Sequence, residues 1–357
     1  MENLKNFVPP SSVSVHTESP GSIFYALQTY TQNIEESDLR RIQNSFDSLS
    51  EDDFSWLKSV HGKLGITQTL EEQVREGTTK NQLFLTDLFQ HIASVTQADA
   101  YTYHSSAKGG DISIRVRLLP WQAAREWGLD SERNESANRV IEAVVSSLPR
   151  GSRILIPGSG CGRLLVDLAS RGYEVVGIEF DVLKLLVFAH AVSGHKSDIC
   201  PFVLETCNRM QAKNNVLPVT VPNTEVSPET LGRITLHGNE FFETSSGFDS
   251  GEFDGIVTCF FLDTMTDVEK YISEFSRIMK SGGTWVNCGP LNFHYPGERV
   301  TPQRPCRDIS ADDLVALVTK HGFEITNQGQ IVTSYLCNPS SMMQTKLKCV
   351  FFESKLR

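Results

Sequence analysis

The sequence has no C-x-x-C pair, although it holds 8 cysteines in 357 residues. That excludes a zinc ribbon and a thioredoxin-like redox motif, and cysteines this sparse read as reduced thiols. No run of about 18 uncharged apolar residues occurs, so no transmembrane helix is expected. The opening MENLKNFVPPSSVSV lacks a basic segment followed by an apolar one, which argues against a secretory signal. Basic residues are in deficit: 33 Lys and Arg face 43 Asp and Glu, for a net charge of −10. That balance repels a phosphate backbone at long range, so neither nucleic acid nor an anionic membrane is an expected partner. The histidines show no H-x-x-x-H spacing, and no metal is expected. The expected compartment is the cytoplasm, with the nucleus second. What the chain does have is core-forming residues: 39% hydrophobic against 21% charged, enough to exclude disorder and collagen-like structure.

Residues 1–20 are rich in Pro, Ser and Val without periodicity and read as a flexible tail. Over 21–115 apolar residues recur at three- and four-residue spacing, as in Leu39, Ile42, Phe46 and again Phe54, Leu57, Val60. This predicts an N-terminal helical region whose apolar stripes pack on the next domain. At Arg153 the rhythm changes. ILIPG reads as a buried strand, RLLVDLAS as a helix, and YEVVGIE as a second strand, which together make a βαβ unit. Further strands are expected at RITLHG, FDGIVTCFF and TWVNCG, and helices at DVEKYISEFSRIMKSGG, with its glycine pair as the C-cap, and at DISADDLVALVTKHG. FEITNQGQIVTSYL and KCVFFES follow with no helix between them and should pair antiparallel at the sheet edge. Residues 116–357 are thus expected to form one α/β domain with a doubly wound, mostly parallel sheet. The polar, Asn-rich stretch at about 195–230 is longer than an ordinary connection and reads as an insertion over the active-site end of the sheet.

The sharpest motif is Pro157-Gly158-Ser159-Gly160-Cys161-Gly162-Arg163, between a strand and a helix. Glycines there allow a tight turn and close approach to a ligand, and the free N–H groups of the helix attract negative charge. Glu179 ends the second strand, where its carboxylate can accept from both ribose hydroxyls of a nucleoside. The dinucleotide pattern G-x-G-x-x-G would need glycine at position 163, which is Arg163; the third glycine comes one residue early, at Gly162. G-x-G-x-G with a downstream acid resembles the class I S-adenosylmethionine (SAM) methyltransferases instead. Asn239 and Glu240 follow the strand RITLHG, where an adenine edge would lie, and Cys259 ends FDGIVTC at the carboxyl end of the sheet; a solvated turn and a small buried hydrophobe are the plainer readings of these.

PGSGCGRL, GYEVVGIE, TCFFLDT, GPLNFHY and SMM followed by CVFF together resemble the carnosine N-methyltransferase family, over roughly Val116 to Phe352. The resemblance implies a Rossmann-like SAM domain with an added N-terminal helical region and an insertion before the fourth strand, SAM as cofactor with S-adenosylhomocysteine as product, and a homodimer as an acceptable assembly. It assigns SAM contacts to Gln122 and Arg125 in WQAAREW, with the glycine loop, Glu179, Asn239-Glu240 and Cys259 completing the cofactor set. Where family members carry an aspartate at the adenine turn, this chain has Asn239-Glu240.

For the acceptor, the resemblance points to Asp263 as a substrate carboxylate and His294 as a histidine beside the accepting imidazole, both catalytic. Tyr335, in TSYL, can supply an aromatic face. The family has a run of tyrosines after Ser-Met-Met, and this chain has Gln344-Thr345-Lys346-Leu347-Lys348. The function implied is imidazole N-methylation of a histidine-containing dipeptide, carnosine to anserine. The missing tyrosines keep open a different small molecule or a histidine-containing peptide or protein. An NAD-dependent oxidoreductase, disfavoured by Arg163, and a non-catalytic SAM-fold subunit are the remaining alternatives.

Overall fold

The structure is a computed structural model that describes residues 6–8, 20–91, 110–265, 267–293 and 308–357. Its centre is an eight-stranded sheet. In chain order the strands are β1 (Asn6–Val8), β2 (Arg153–Pro157), β3 (Glu174–Ile178), β6 (Ile234–His237), β7 (Phe253–Cys259), β8 (Met279–Gly289), β9 (Phe323–Ser334) and β10 (Lys346–Leu356). Their spatial order is β1-β6-β3-β2-β7-β8-β10-β9. β2 pairs parallel with both β3 and β7, and β10 runs antiparallel to β8 and β9. Setting β1 aside, this is the strand order of a class I methyltransferase: a parallel sheet that reverses between its first and fourth strands and ends in one antiparallel insertion.

Each central strand is buried on both faces, so consecutive residues enter different cores. Ile154 and Ile156 of β2 join one apolar cluster and Leu155 the other. On the first face lie α8 (Ala137–Ser147), α9 (Arg163–Ala169) and α10 (Val182–Ser193); on the second lie α12 (Phe241–Ser245), α13 (Val268–Ile278) and α14 (Ala311–Lys320). The edge pairing expected of the last two apolar segments is present, with Phe323 opposite Leu356 and Ser334 opposite Lys346.

The N-terminal helices α1 (Pro20–Gln28), α2 (Tyr30–Ile34), α3 (Arg40–Asp47), α4 (Glu51–Lys63) and α5 (Leu70–Phe89) form a layer on the first face, a short π-helical turn at Glu35–Leu39 joining α2 to α3. α5 opens with a capping box in which Thr69 and Glu72 satisfy each other's backbone N–H groups. The layer has no core of its own: Ile23, Phe84 and Leu88 belong to the same cluster as Ile154 and Leu185. The expected boundary near residue 115 also falls inside a helix, α6 (Gly110–Trp127).

The expected insertion contains β4 (Ser197–Ile199) and β5 (Val219–Val221), which pair antiparallel, and α11 (Pro228–Gly232). It precedes β6, which is the third strand of the class I order once β1 is set aside, and not the fourth as expected. Asn81 of α5 clasps it, donating to the Cys200 carbonyl at 3.0 Å and accepting the Cys200 N–H at 2.8 Å. Its outer part meets the β9–β10 loop, where the Met342 N–H donates to the Asn208 carbonyl at 2.8 Å.

Three further expectations change. Residues Asn6–Val8, read as part of a loose tail, form β1 and pair parallel with β6. The Gly282-Gly283 pair is not a helix cap: α13 stops at Ile278 and the glycines lie in an irregular start of β8, with Gly282 at φ +78°. The stripe Phe54, Leu57, Val60 does make the helix α4, but none of its residues is buried, and Trp56 is 66% exposed. Among the described residues, no helix is long and apolar enough to cross a membrane, and no three His, Cys, Asp or Glu side chains gather as a metal site.

Candidate active site

At the carboxyl ends of β2 and β7 the sheet opens into a cleft of about 390 Å³, within the ~300–1,000 Å³ usual for small-molecule sites. Its position follows from the topology, since neighbouring loops diverge where a doubly wound sheet reverses direction. The floor is the glycine loop. Gly158, Gly160 and Gly162 all have positive φ, at +63°, +61° and +81°. A Cβ would meet the Phe261 ring at 2.3 Å on Gly158 and the Phe188 ring at 2.2 Å on Gly162. Glycine is therefore required twice over, by backbone conformation and by space.

Glu179 stands at the end of β3 and is 3% exposed. One carboxylate oxygen accepts the Gly160 N–H and the other the Asp181 N–H, each at 2.9 Å. Lys184 of α10 lies 3.9 Å from it, and Glu179 pushes the Lys184 ammonium pKa above its usual range, while burial raises that of the Glu179 carboxyl. Lys184 lines the cleft.

α6 crosses the loop and delivers three consecutive functions. Trp127 pins it, donating its indole N–H to the Cys161 carbonyl at 2.7 Å. Glu126 turns down onto the start of α9 and accepts the N–H groups of Cys161 at 3.0 Å and Arg163 at 3.3 Å. Burial drives the Glu126 carboxyl pKa up against those bonds and the nearby Arg125. Gln122 and Arg125 face the cleft. The Arg125 guanidinium lies 4.4 Å from the Phe260 ring centroid and 5.1 Å from that of Tyr335, and pairs with Glu132 of α7 (Asp130–Glu135). Burial is the largest single influence and works against its charge, but Glu132, Tyr335, Glu126 and Cys259 together outweigh it and raise the guanidinium pKa.

The opposite wall is aromatic and acidic. Phe260, just past β7, has φ +53°, donates its N–H to the Cys288 carbonyl at 2.9 Å, and stacks on Tyr335 at 5.7 Å and 11°. Glu132 and Glu135 accept the N–H groups of Leu336 and Ser334, holding Tyr335 from both sides. Asp263 lies on a 3-10 turn, Leu262–Thr264, is 3% exposed, and accepts the Asn292 N–H at 3.2 Å. Thr345 and Leu347 line the same cleft.

Of the residues singled out from sequence, Gln122, Arg125, Gly158, Gly160, Cys259, Asp263 and Tyr335 line one cleft. Gly162 and Glu179 lie behind its surface and shape the loop. Asn239 and Glu240 follow β6 but are not among the lining residues, and Glu240 sits at the N-cap position of α12. Cys259 is a half-buried thiol in the cleft wall, its pKa pushed up to about 12 by desolvation, so it is an inert wall at neutral pH. His294 lies outside the described residues. Glu126, Glu132, Lys184 and Phe260 were not singled out from sequence. Nothing local marks them, because Glu126 reaches partners 35 and 37 residues away; only its place beside Arg125 in WQAAREW could have drawn attention to it.

The chain resembles proteins called carnosine N-methyltransferase in several organisms. The mouse protein is 28% identical over 247 residues, covering 65% of this chain and 60% of that protein. The fission yeast protein is 26% identical over 255 residues, covering 66% and 68%. The chain thus spans well under two thirds of the mouse relative's length. Among solved structures, a SAM-dependent methyltransferase from Methanosarcina mazei overlaps 60% of this chain and 96% of its own at 20% identity and TM-score 0.36, and one from Aquifex aeolicus 67% and 98% at 13% and 0.39. The fold assignment rests on this chain's strand order and not on those overlaps. The family described as carnosine N-methyltransferase matches residues 107–357, well over half of the sequence, and the chain belongs to that family.

Proposed function

We propose that the protein is a SAM-dependent N-methyltransferase that methylates the imidazole ring of a histidine-containing dipeptide, carnosine to anserine, releasing S-adenosylhomocysteine. The observation that carries this reading is one cleft that joins a glycine cradle beside Glu179 to a nearly buried Asp263 opposite it. The residues present fit the cofactor. A Cβ on any of the three loop glycines would collide, and the buried Ser159 hydroxyl in the cleft wall has no hydrogen-bond partner. Each Glu179 oxygen accepts one N–H and retains lone-pair capacity for a ribose hydroxyl.

SAM supplies an electrophilic methyl on a sulfonium that leaves without acid assistance, so the protein's task is to orient and desolvate. Arg125 would pair with the methionine carboxylate and Gln122 with its polar end, while Glu126 holds the loop N–H groups in place. An imidazole, with an ordinary pKa of about 6.5, is mostly neutral at pH 7 and must present its unprotonated nitrogen. Asp263 would accept the ring N–H, fix the tautomer and stabilise the imidazolium product, as a carboxylate does toward histidine in hydrolase triads. Tyr335 would cover one ring face, and His294 would complete the polar wall.

Thr345 and Leu347 in the cleft wall, where the family carries tyrosines, favour a second reading: another small molecule, or a histidine in a longer peptide or protein. Both are tested by mass spectrometry of the protein incubated with methyl-labelled SAM and carnosine, homocarnosine, histidine or a histidine peptide. Labelled anserine is expected. Label on another acceptor alone overturns the substrate, and label on none overturns the activity. A homodimer belongs to the same proposal, and sedimentation of that preparation as a monomer removes it.

A further inference from the structure

Beyond the cleft lies a second hollow of about 160 Å³. The two are separated by the β9–β10 loop, where the Tyr335 N–H donates to the Thr345 carbonyl at 3.3 Å. Tyr335 and Thr345 line the cleft, while Ser334, Leu336 and Gln344 line the hollow; Arg125 and Glu132 belong to both. The hollow's outer walls are Trp121 of α6 and Phe202 of the insertion, ring centroids 6.1 Å apart and inclined at 42°. Glu132, at its inner end, is 5% exposed. One of its oxygens accepts the Leu336 N–H at 2.9 Å, and the other faces Arg125 Nε.

A buried carboxylate and two aromatic side chains lining one hollow can receive a small cation, because aromatic rings and a carboxylate both attract positive charge. In this structure Glu132 is paired with Arg125. Arg125 meets Glu132 through Nε, so if its outer nitrogens pair with a cofactor carboxylate, as in the proposed function, one guanidinium serves two carboxylates. Two carboxylates on one buried guanidinium are short of one positive charge, which is unfavourable away from water, and a second cation beside Glu132 supplies it. The hollow is too small for another large ligand and suits a short aminoalkyl chain.

We infer that this hollow takes the terminal ammonium of an ω-aminoacyl group on the acceptor, paired with Glu132 between Trp121 and Phe202. The inference rests on the proposed imidazole methylation and narrows it: accepted peptides carry a free amine, and they bind once the cofactor carboxylate occupies Arg125.

The test compares carnosine with N-acetylcarnosine, which has the same imidazole and no ammonium. For the unaltered protein, acetylation is expected to lower kcat/KM by roughly 10- to 100-fold, the worth of one hydrogen bond to a charged group. Calorimetry should show carnosine binding only with S-adenosylhomocysteine present, and N-acetylcarnosine binding more weakly by a similar factor. Glu132→Gln, which keeps an oxygen for the Leu336 N–H, should bring the two acceptors to the same value. Phe202→Leu, away from the glycine loop, should narrow the gap in the same direction and keeps the test available if the first variant folds poorly. Equal handling of both acceptors by the unaltered protein, or an equal loss on both in Glu132→Gln, overturns the ammonium site while leaving imidazole methylation intact. Methyl transfer to neither acceptor overturns the underlying reading, and the ammonium site falls with it.

Discussion

Asp263 is the residue on which the proposed chemistry turns, and its surroundings say how to test it. It is almost closed to solvent, sits on a single 3-10 turn, and takes one backbone N–H from Asn292. Asparagine preserves its shape and an acceptor oxygen but removes the charge that would stabilise an imidazolium. Asp263→Asn should therefore leave S-adenosylhomocysteine affinity unchanged in calorimetry while lowering kcat on carnosine by roughly 10²- to 10⁴-fold, the range for displaced orienting carboxylates. A rise in KM with kcat intact would reduce Asp263 to a binding contact. The site was legible from sequence where its signal is local. Gly158, Gly160, Gly162 and Glu179 stand within one βαβ unit, so spacing alone relates them. Glu126, Glu132 and Phe260 were not legible, because their roles exist only once α6, α7 and the end of β7 converge. Phe260 adds a further obstacle: its positive φ is a conformation no residue-type pattern announces for a phenylalanine.

At the level of elements, the joint between the glycine loop and α9 is the most exacting. Gly162, the N-cap of α9, is at φ +81°, and an added Cβ would stand 2.2 Å from the ring of Phe188, itself buried in α10. Gly194, which ends α10 at φ +87°, has no atom within 4 Å of the corresponding position. Urea denaturation should separate the two. Gly194→Ala should cost only the left-handed backbone, about 1 kcal/mol, whereas Gly162→Ala adds overpacking and should cost about 2–4 kcal/mol. Equal losses would mean that Phe188 yields easily and that space does not dictate this glycine. The alternation of strands and helices was readable because buried strands with β-branched residues and amphipathic helices differ in period. The start of β8 was not: Met279 to Gly283 looks like a helix exit, yet β8 pairs with β7 across an irregular register from Phe253 opposite Met279 to Gly255 opposite Thr284. Nor could periodicity tell that the α4 stripe is only partly covered, with Phe54 exposed and Leu57 and Val60 half-buried, since a period reports a face and not its partner.

The whole molecule behaves as one body because the N-terminal helices and the sheet share a core, and one histidine sits in the seam. His190 of α10 is 1% exposed, with its ring edge-on to Phe84 of α5 at 5.4 Å and its Nε2 3.2 Å from the Ser197 hydroxyl of β4. That hydroxyl donates to Asp87 of α5 at 3.1 Å. The ionisable groups around it are Asp87 of α5, His91 just past the end of α5, and His195 beyond the end of α10. Burial, reinforced by His91 and opposed by Asp87, pushes the His190 pKa down to about 4. In the unfolded chain it returns to about 6.5, so between these values the unfolded state binds a proton that the folded state does not. Stability from this group is complete above pH 6.5 and is lost as pH falls, by about 1.4 kcal/mol per unit and about 3 kcal/mol in total near pH 4. Urea midpoints between pH 7.5 and 4.5 should thus fall more steeply for the unaltered protein than for His190→Leu, whose curve retains the contributions of the carboxylates and of His91 and His237, both also lowered by burial. Because the seam joins α5, α10 and β4, the extra loss should be seen equally by probes of helix content and by Trp127 and Trp285 fluorescence, as one cooperative unit requires. Parallel curves for the two proteins would mean that His190 binds protons equally in the folded and unfolded states over this range, and separate transitions for the two probes would mean that the helical layer can leave the sheet on its own.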